Sequence, residues 1–365
     1  MINEFSRPVF CLLGLPFDAV NLFQAVEWVR QAIRDDARFF LSTPNLNFLI
    51  ASQSDTEFRQ SVINSELSIV DGMPLVWMAK LLGYPVDERV AGSDLFQSIQ
   101  DIEDPTRLLR AFFFGGPEGV AAKACERLNQ KNSSIRCAGS YSPGFGTIEE
   151  MSTPEIIDQI NKSEADFLLV ALGAKKGQAW IEHNRQKFHQ PVFSHLGAVV
   201  NFEAGVVKRS PVSFQKIGLE WIWRILQEPK LWSRYAIDGL GFLHMLLTRI
   251  LPYILWRRVH KKKLKVVDPV TFEVEKSKKA ILIKLNGACL VQNISRLRKL
   301  FNKVSVADKT IILQMKEVTV IDGCFLGLCL VLYKYQCKKK RSLKFVGLNK
   351  DVKRIFYWSC AEYLL

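Results

Sequence analysis

The sequence lacks the motifs that mark several common kinds of site. It contains no D-x-D pair for a divalent ion and no G-x-G-x-x-G fingerprint for a dinucleotide. Its five histidines include no HExxH-like pair, so imidazole ligation of a metal is unsupported. The nearest acidic cluster, Asp101, Glu103 and Asp104, precedes Pro105 and is more typical of a solvated loop. These absences predict a site with no metal and no cofactor.

The eight cysteines include no CxxC pair, which argues against a structural zinc site and against a disulfide framework. Reduced thiols are therefore expected. The N-terminal stretch reaches Asp18 soon after a short apolar run and shows no cleavage-site pattern, so it does not indicate a signal peptide. Together these features predict a cytoplasmic protein.

Acidic residues are scarce in one part of the chain. The net charge is +14, and residues 205–265 hold 13 Lys or Arg against three acidic residues, together with four of the eight tryptophans. Basic residues interleaved with aromatic residues suit an anionic surface, either membrane headgroups or nucleic acid. Composition alone leaves both open.

The longest apolar segment of this region is too short to cross a membrane. Residues 242–256 contain His244, Arg249 and Pro252 and fall below the roughly 20 residues that a spanning helix needs. We expect this segment to lie in the membrane interface. Arg257, Arg258 and residues 261–263 follow it and would meet anionic headgroups.

Polar residues stand at the ends of two short apolar runs. Residues 39–41 and 67–70 are rich in strand formers, and they lead to Thr43, Asn45 and Asp71. In open α/β sheets ligands bind beyond the carboxyl ends of the strands, so a carboxylate here, joined by Arg89, suits transfer onto a hydroxyl from a phosphorylated donor. The alternative is that these polar residues only cap helices.

The surrounding pattern predicts alternating strands and helices. Residues 9–15 are a candidate first strand, residues 19–34 an amphipathic helix with Phe23 on its apolar side, and residues 46–64 a helical connection. Trp77, in a helix over residues 73–82, is expected in the core. A strand over residues 109–114 breaks at Gly115 and Gly116 before a helix, which is an arrangement that can hold phosphate.

Several of these motifs stand in the order of one known family. STPN, VDGMPLVW and ERVAGSDL are followed by FFFGGPEGVAAKA, ADFLLVALG, FEAGVVKRSP and GLEWIWRILQEPKLWSRY. With these motifs the chain resembles the WecG/TagA/CpsF family of bacterial glycosyltransferases over about residues 9–235. The resemblance implies an α/β, Rossmann-like domain with a basic helical membrane appendage. It also implies transfer of an N-acetylmannosamine-type sugar from a UDP-sugar to a polyprenyl-diphosphate-linked acceptor.

The resemblance assigns roles to individual residues. Asp71 would be the general base of an inverting displacement, Thr43 and Asn45 would orient sugar, Arg89 would bind diphosphate, and Asp94 would brace the pocket. The remaining expected contacts are Gly115, Gly116 and Gln178 for substrate and Arg224, Lys230, Arg234, Arg257 and Arg258 for the membrane and for completing the active site.

The sequence also departs from the family. Relatives carry a Pro-Lys-Gln-Glu run where this chain has residues 175–178, so that Gly177 replaces Gln and Gln178 replaces Glu. Asn201 stands where relatives commonly have Asp. A catalytically weak scaffold or regulatory protein therefore stays open as an alternative. Nucleic-acid binding would explain the charge but not the ordered motifs.

The C-terminal part changes character after about residue 268. Its strands and helices alternate, and VTVIDGCFLGLCLVLYKY with LKFVGLNKDVKRIF resembles a STAS domain, the fold of anti-sigma-factor antagonists. The phosphorylatable Ser of signalling members is Gly323 here, so the usual phosphorylation switch is not expected, but a protein partner is. Cys324 is expected to be a small buried thiol. The predicted domains are residues 1–235, a membrane-binding segment and linker over 236–268, and residues 269–365.

Overall fold

The structure is a computed structural model that describes residues 3–101, 108–261 and 270–365. The predicted loop at Glu103 to Pro105, the basic residues 262, 263 and 265, and the domain boundary near residue 268 lie outside the described residues. The strands are β1 Val9–Leu12, β2 Leu15–Asp18, β3 Phe39–Ser42, β4 Leu67–Ser68, β5 Leu109–Gly115, β6 Ile135–Tyr141, β7 Phe167–Ala171, β8 Val192–His195, β9 Thr271–Lys276, β10 Ala280–Cys289, β11 Thr310–Ile321 and β12 Leu343–Val346.

Helices connect these strands. They are α1 Leu22–Arg34, α2 Leu46–Ser54, α3 Thr56–Ile63, α4 Met73–Leu81, α5 Gly92–Asp101, α6 Val120–Gln130, α7 Pro154–Lys162, α8 Ala174–Asn184, α9 Gly197–Glu203, α10 Val212–Lys216, α11 Glu220–Gln227, α12 Trp232–Met245, α13 Leu251–Val259, α14 Ser295–Ser305, α15 Gly323–Lys338 and α16 Lys350–Trp358. A π turn, Leu246–Ile250, joins α12 to α13, and short 3₁₀ turns occur at Glu4–Ser6, Glu150–Ser152, Pro229–Leu231 and Glu362–Leu364.

A six-stranded sheet forms the centre of the N-terminal domain. Its order is β4-β3-β8-β7-β5-β6, and every neighbouring pair is parallel. Side chains alternate between the two faces along each strand, so Phe113 packs on the α1, α5, α6 and α9 side while Phe112 and Phe114 pack with Trp180 of α8 on the other. The predicted α/β fold is confirmed, and its parallel sheet is covered by helices on both faces.

The first predicted strand, over residues 9–15, is present as β1 but ends at Leu12. It does not join the six-stranded sheet, because β1 and β2 form a separate antiparallel hairpin. The turn lies at Leu13 and Gly14, which both have positive φ as tight hairpin turns require. An apolar run by itself does not reveal which sheet a strand joins.

Two predicted apolar contacts are also wrong. Phe23 is 73% exposed, and Trp77 is 51% exposed and lies on the surface of α4. The predicted helix over residues 46–64 is two helices, because Asp55 ends α2 and its side chain accepts a hydrogen bond from the Phe58 N–H to cap α3. Helical periodicity did not show this break.

The predicted absence of disulfides is wrong at one pair. Cys125 of α6 and Cys137 of β6 are joined by a disulfide bond. The two residues are 12 apart in sequence and become neighbours only because α6 packs beside β6. Cys324 is a buried free thiol, as predicted.

The C-terminal domain has the predicted alternation. Its sheet has the order β12-β11-β10-β9, in which β10 pairs in parallel with β11 and antiparallel with β9. The edge strand β9 was not predicted. Asp322 follows β11, and its side chain accepts a hydrogen bond from the Phe325 N–H to cap α15.

A long helical arm, residues 229–259, connects the two domains. By length and composition alone this helix could cross a membrane, which corrects the prediction that the apolar segment is too short, because the helix extends well before residue 242. The helix has two faces. Tyr253, Ile254 and Trp256 are buried against the protein, whereas Leu247 and Leu255 are more than half exposed. The prediction that the whole segment 242–256 lies in the membrane interface is therefore wrong for the buried face.

Candidate active site

The site lies at the carboxyl ends of β3 and β4. The chain leaves β3 through Thr43 and Pro44, and the Pro44 carbonyl accepts a hydrogen bond from the Asp71 N–H, 3.2 Å away. The Val70 carbonyl accepts one from the Val90 N–H at 3.0 Å, which brings the loop that carries Arg89 to the same place. The structure thus brings together three of the predicted segments.

Asp71 does not cap a helix. The first turn of α4 is capped by Gly72, without any side-chain bond, and Gly72 has a φ of 140° that favours glycine. Burial raises the pKa of Asp71 to about 6. The positive charges of Arg89 and Arg224 oppose this shift, and the negative charges of Glu220 and Asp94 add to it. A carboxyl group tuned in this way can accept a proton near neutral pH.

Arg89 is the centre of an ion-pair network around Asp71. Its Nη1 donates to Glu220 Oε2 at 2.6 Å, and its Nη2 donates to Asp94 Oδ2 at 3.1 Å and to Gln215 Oε1 at 3.2 Å. Arg209 pairs with the other oxygen of Asp94. Asp94 thus pairs with two arginines of the network, and Arg89 is held by protein carboxylates. The bracing role of Asp94 stays a prediction.

Thr43 and Asn45 differ in their surroundings. Asn45 caps α2, since its side chain accepts a hydrogen bond from the Phe48 N–H at 3.2 Å. The capping alternative therefore holds for Asn45. Thr43 is buried, and a Cβ at Gly92 of α5 would lie 3.1 Å from its methyl group, so the β3 loop and α5 are in close contact.

Gly115 and Gly116 form the turn between β5 and α6. Both have positive φ, and a Cβ at Gly115 would meet the Ala171 carbonyl oxygen at 2.7 Å. The Gly116 N–H donates to the same carbonyl at 2.8 Å. Gly119 is the N-cap of α6 and provides no side-chain cap for the first N–H groups of this helix.

Gln178 does not face the cleft. It is fully buried, and its Nε2 donates to Ser42 Oγ at 2.9 Å. Its neighbours Lys175 and Lys176 are exposed and bind Asp55 and the Gly146 carbonyl. The structure therefore gives Gln178 an interior contact beneath β3.

Gly177 leaves room for the ring of His195 at the end of β8. A Cβ at Gly177 would lie 2.3 Å from the ring of His195, so the ring occupies the space that a side chain would fill. His195 Nε2 is buried and has no hydrogen-bond partner among the described residues. Burial lowers the pKa of His195 to about 4, so the ring is neutral at pH 7. Asn201 lies half-buried on α9.

The basic residues predicted for the membrane appendage, Arg224 to Arg258, divide into two groups. Arg224 lies in the site, with its Nε 3.9 Å from Glu220 Oε1. Lys230, Arg234 and Arg258 are exposed. Arg257 is half-buried at the other end of the arm, where a Cβ at Gly83 would lie 2.9 Å from its guanidinium. The structure does not bring the last four residues to Asp71.

The arm is docked on the site by close contacts. Asn47 Nδ2 donates to both carboxylate oxygens of the buried Asp238, at 3.0 and 3.1 Å. A Cβ at Gly218 would lie 2.8 Å from the ring of Trp77, and a Cβ at Gly241 would lie 2.8 Å from Ile50. Helices α11 and α12 therefore cover the side of the cleft formed by α2 and α4.

Sequence reasoning missed three residues of the network, Arg209, Gln215 and Glu220. They lie more than 110 residues after Asp94. Arg209 and Glu220 stand within the motifs FEAGVVKRSP and GLEWIWRILQEPKLWSRY, but no role was predicted for either residue. A further signal was the pair Glu220 and Arg224, whose i,i+4 spacing puts a carboxylate and a guanidinium on one helix face. Within the described residues, no group of three or more His, Cys, Asp or Glu side chains is placed to hold a metal ion.

Comparison with known proteins agrees with this geometry. A family model described as "Glycosyl transferase WecG/TagA/CpsF family" matches residues 10–254. The chain belongs to this family. A second model, the STAS domain, matches residues 271–359. The protein is therefore a WecG/TagA/CpsF glycosyltransferase that carries a C-terminal STAS domain.

Relatives of this glycosyltransferase include proteins of Bacillus and Staphylococcus. An N-acetylglucosaminyldiphosphoundecaprenol N-acetyl-beta-D-mannosaminyltransferase of Bacillus spizizenii is 32% identical over 195 residues, which are 53% of this chain and 74% of the relative. The proteins of the same name from Bacillus subtilis and Staphylococcus aureus strain MW2 are 25% and 24% identical over 60% and 61% of this chain, and 84% and 85% of their own.

Proposed function

We propose that this glycosyltransferase moves an N-acetylmannosamine-type sugar from a UDP-sugar to a hydroxyl of a polyprenyl-diphosphate-linked sugar. The names of the relatives support the sugar and the acceptor. The observation that carries the mechanism is Asp71, a carboxylate with a pKa of about 6 beside Arg89 and Arg224. We further propose that the enzyme works at the cytoplasmic face of the membrane.

The proposed reaction is a single displacement with inversion. Asp71 takes the proton of the acceptor hydroxyl as its oxygen attacks the anomeric carbon of the sugar, and the bond from that carbon to the UDP oxygen breaks. Arg89 and Arg224 stabilise the negative charge that develops on the departing diphosphate. Because Glu220 now pairs with Arg89, the diphosphate would replace this carboxylate on the same guanidinium.

A substitution at Asp71 tests the proposal. Asp71→Asn keeps the size of the side chain but removes the base, so turnover should fall by about two or more orders of magnitude. The measurement is transfer of labelled sugar from UDP to the lipid-linked acceptor by the intact protein. Asp87→Asn is the matched control, because Asp87 lies exposed in the same loop region. Near-normal turnover in a folded Asp71→Asn protein would refute the proposed base.

A further inference from the structure

The STAS domain presents its central helix to the transferase domain. Helix α15 packs on the β1–β2 hairpin so closely that a Cβ at Gly327 would lie 2.6 Å from the Phe10 backbone. The Lys334 ammonium, 1% exposed, donates to Glu4 at 2.6 Å and to Glu66 at 3.0 Å. This surface is therefore already occupied within the chain.

The start of α15 is covered as well. A Cβ at Gly323 would lie 2.1 Å from the Tyr84 hydroxyl, so a serine at the position used for phosphorylation in signalling relatives would not fit without moving Tyr84. Cys324, which follows, is buried. A modifying enzyme could not reach this turn while the two domains stay together.

The STAS domain also holds the far end of the helical arm. Arg249 in the π turn donates to Glu362 Oε1 at 2.6 Å and to the Tyr357 carbonyl. The Trp358 ring lies against Tyr253 and Trp256, with ring centroids 5.8 and 6.0 Å apart. These contacts are made by α16 and by the turn that follows it.

The arm connects these contacts to the active site. It is helical from Trp232 to Val259, and residues 220 and 224, which pair around Arg89, lie shortly before it. Asp238, near its start, is bound by Asn47, and Arg249 is three turns further on. A helix fixed at one end limits how far its other end can move.

We propose that the partner of the STAS domain is the transferase domain of its own chain, and that the STAS domain clamps the helical arm over the Asp71 cleft. The two domains share one continuous apolar core, and large apolar interfaces oppose independent domain motion. In this role the STAS domain positions Glu220 and Arg224 and does not relay a signal by phosphorylation.

Charge reversal at the clamp tests this proposal in the full chain. Arg249→Glu puts two carboxylates together, so amide hydrogen exchange in α11 and α12 should accelerate by about three- to tenfold relative to the natural protein. Adding Glu362→Arg should restore much of the protection. Lys353→Glu is the matched control, because Lys353 is exposed on α16.

A second variant covers the case in which Arg249→Glu does not fold. Trp358→Leu removes the ring contacts with Tyr253 and Trp256 without adding charge, and it should accelerate exchange in the same two helices. Unchanged exchange in α11 and α12 in the folded variants would overturn the clamp.

The exchange measurement is independent of the proposed reaction. The role of the clamp in catalysis, however, rests on the proposed function. Turnover measured in parallel should fall in Arg249→Glu and recover in the double variant. If exchange responds as expected but the natural protein transfers no sugar, the proposed function fails and the clamp stands.

Discussion

Asp71 and Glu220 lie near the same cation but in different settings. Glu220 accepts a short hydrogen bond from Arg89, whereas burial raises the pKa of Asp71 to about 6. Two carboxylates with separated roles in one cleft are a common way to obtain a base that works at neutral pH. The negative charge of Glu220 contributes to this raised value.

The raised pKa predicts a pH dependence. A base must be deprotonated, so kcat/KM should fall as the pH drops below about 6. Glu220→Gln removes a charge that raises the pKa of Asp71, so the acid limb should move to lower pH. At pH 8 the activity should stay within about tenfold, because an amide oxygen can still accept from Arg89.

Initial rates across pH 4.5 to 8.5 would measure this shift. Glu228→Gln is the control, since Glu228 is exposed just after the same helix. An acid limb that stays at the same pH in Glu220→Gln would show that the two carboxylates do not interact.

A second prediction concerns metal ions. We expect the leaving diphosphate to be stabilised by Arg89 and Arg224, so turnover should persist in excess chelator. The measurement is sugar transfer with and without EDTA, followed by addition of manganese or magnesium. Complete loss that either ion reverses would argue for a metal-dependent reaction.

Strand-end positions pointed to part of the site, and the family motifs added Arg89, Asp94 and Arg224. Thr43, Asn45 and Asp71 were found because parallel strands deliver their following residues to one edge of a sheet. The sequence did not show that Asn45 caps a helix whereas Asp71 does not. Arg209 and Glu220 stand in quoted motifs, but they reach the site only because the segment after α9 folds back onto Arg89 and Asp94, a contact that no local pattern encodes.

At the level of elements, the arm combines two interfaces in one helix. Its buried face packs on the protein. Its other face carries apolar residues every three or four positions that are 38% to 80% exposed: Leu240, Leu243, Leu247, Leu251, Leu255 and Val259. Basic Arg258 and Lys261 lie at its end. An apolar stripe with basic neighbours suits an anionic membrane surface, which is where a lipid-linked acceptor would be.

This stripe predicts membrane binding that can be removed without unfolding the protein. Leu243→Gln with Leu247→Gln and Leu251→Gln should weaken binding to anionic vesicles by at least about tenfold, since each buried side chain contributes more than 1 kcal/mol. Sedimentation with phosphatidylglycerol vesicles measures it. Replacing Arg258 and Lys261 by Gln should reduce binding further, and salt should weaken the natural protein.

Val306→Gln serves as the control, because Val306 is 71% exposed on the STAS domain. Binding that survives both sets of changes would require another anchor. A protein that ignored vesicles and bound oligonucleotides would favour the nucleic-acid hypothesis instead.

The sequence of residues 242–256 shows that the arm is apolar, but it does not show that one face is buried against the protein and the other is exposed. Tyr253 and Trp256 are amphipathic residues that suit a membrane interface as well as a protein core. Only the presence of Trp358 next to them decides between these environments. The hairpin β1–β2 was misplaced for a similar reason, since its partner α15 lies about 300 residues later.

For the whole molecule, a buried ionic cluster joins the domains. Lys334 of the STAS domain binds Glu66, which also accepts a hydrogen bond from Arg185 at 2.8 Å. Burial alone would raise the pKa of Glu66, but the charges of Lys334 and Arg185 outweigh it and hold the pKa below its usual range. The cluster therefore stabilises the fold above pH 4.5, the ordinary value of this group, and loses that effect as the pH falls further.

Breaking the cluster should affect both domains together. Lys334→Met removes the buried cation that Glu4 and Glu66 share and leaves their remaining charge to Arg7 and Arg185, so the free energy of unfolding should fall by about 3–5 kcal/mol. Lys338→Met is the matched control: Lys338 lies on the same helix, 3.5 Å from Glu66, but is 46% exposed and should cost at most about 1 kcal/mol. Urea unfolding followed by fluorescence and circular dichroism measures both.

In Lys334→Met the two probes should still report one transition, because the domains share a core. Equal losses of unfolding free energy in Lys334→Met and Lys338→Met would indicate that burial of Lys334 is unimportant.

The alternation of strands and helices predicted both folds separately. Charged residues such as Glu4 and Lys334, however, gave no sign in the sequence that they pair across 330 positions.

The packing of Phe10 against Gly327 affects how the protein folds during its synthesis on the ribosome. The hairpin that contains Phe10 leaves the ribosome well before helix α15, which covers it and is made about 300 residues later. At about 5–20 residues per second, its apolar side chains wait roughly 15–60 seconds for their cover. The nascent N-terminus should therefore be a chaperone substrate throughout synthesis, and a ribosome stalled before codon 323 should hold a chain that aggregates on release.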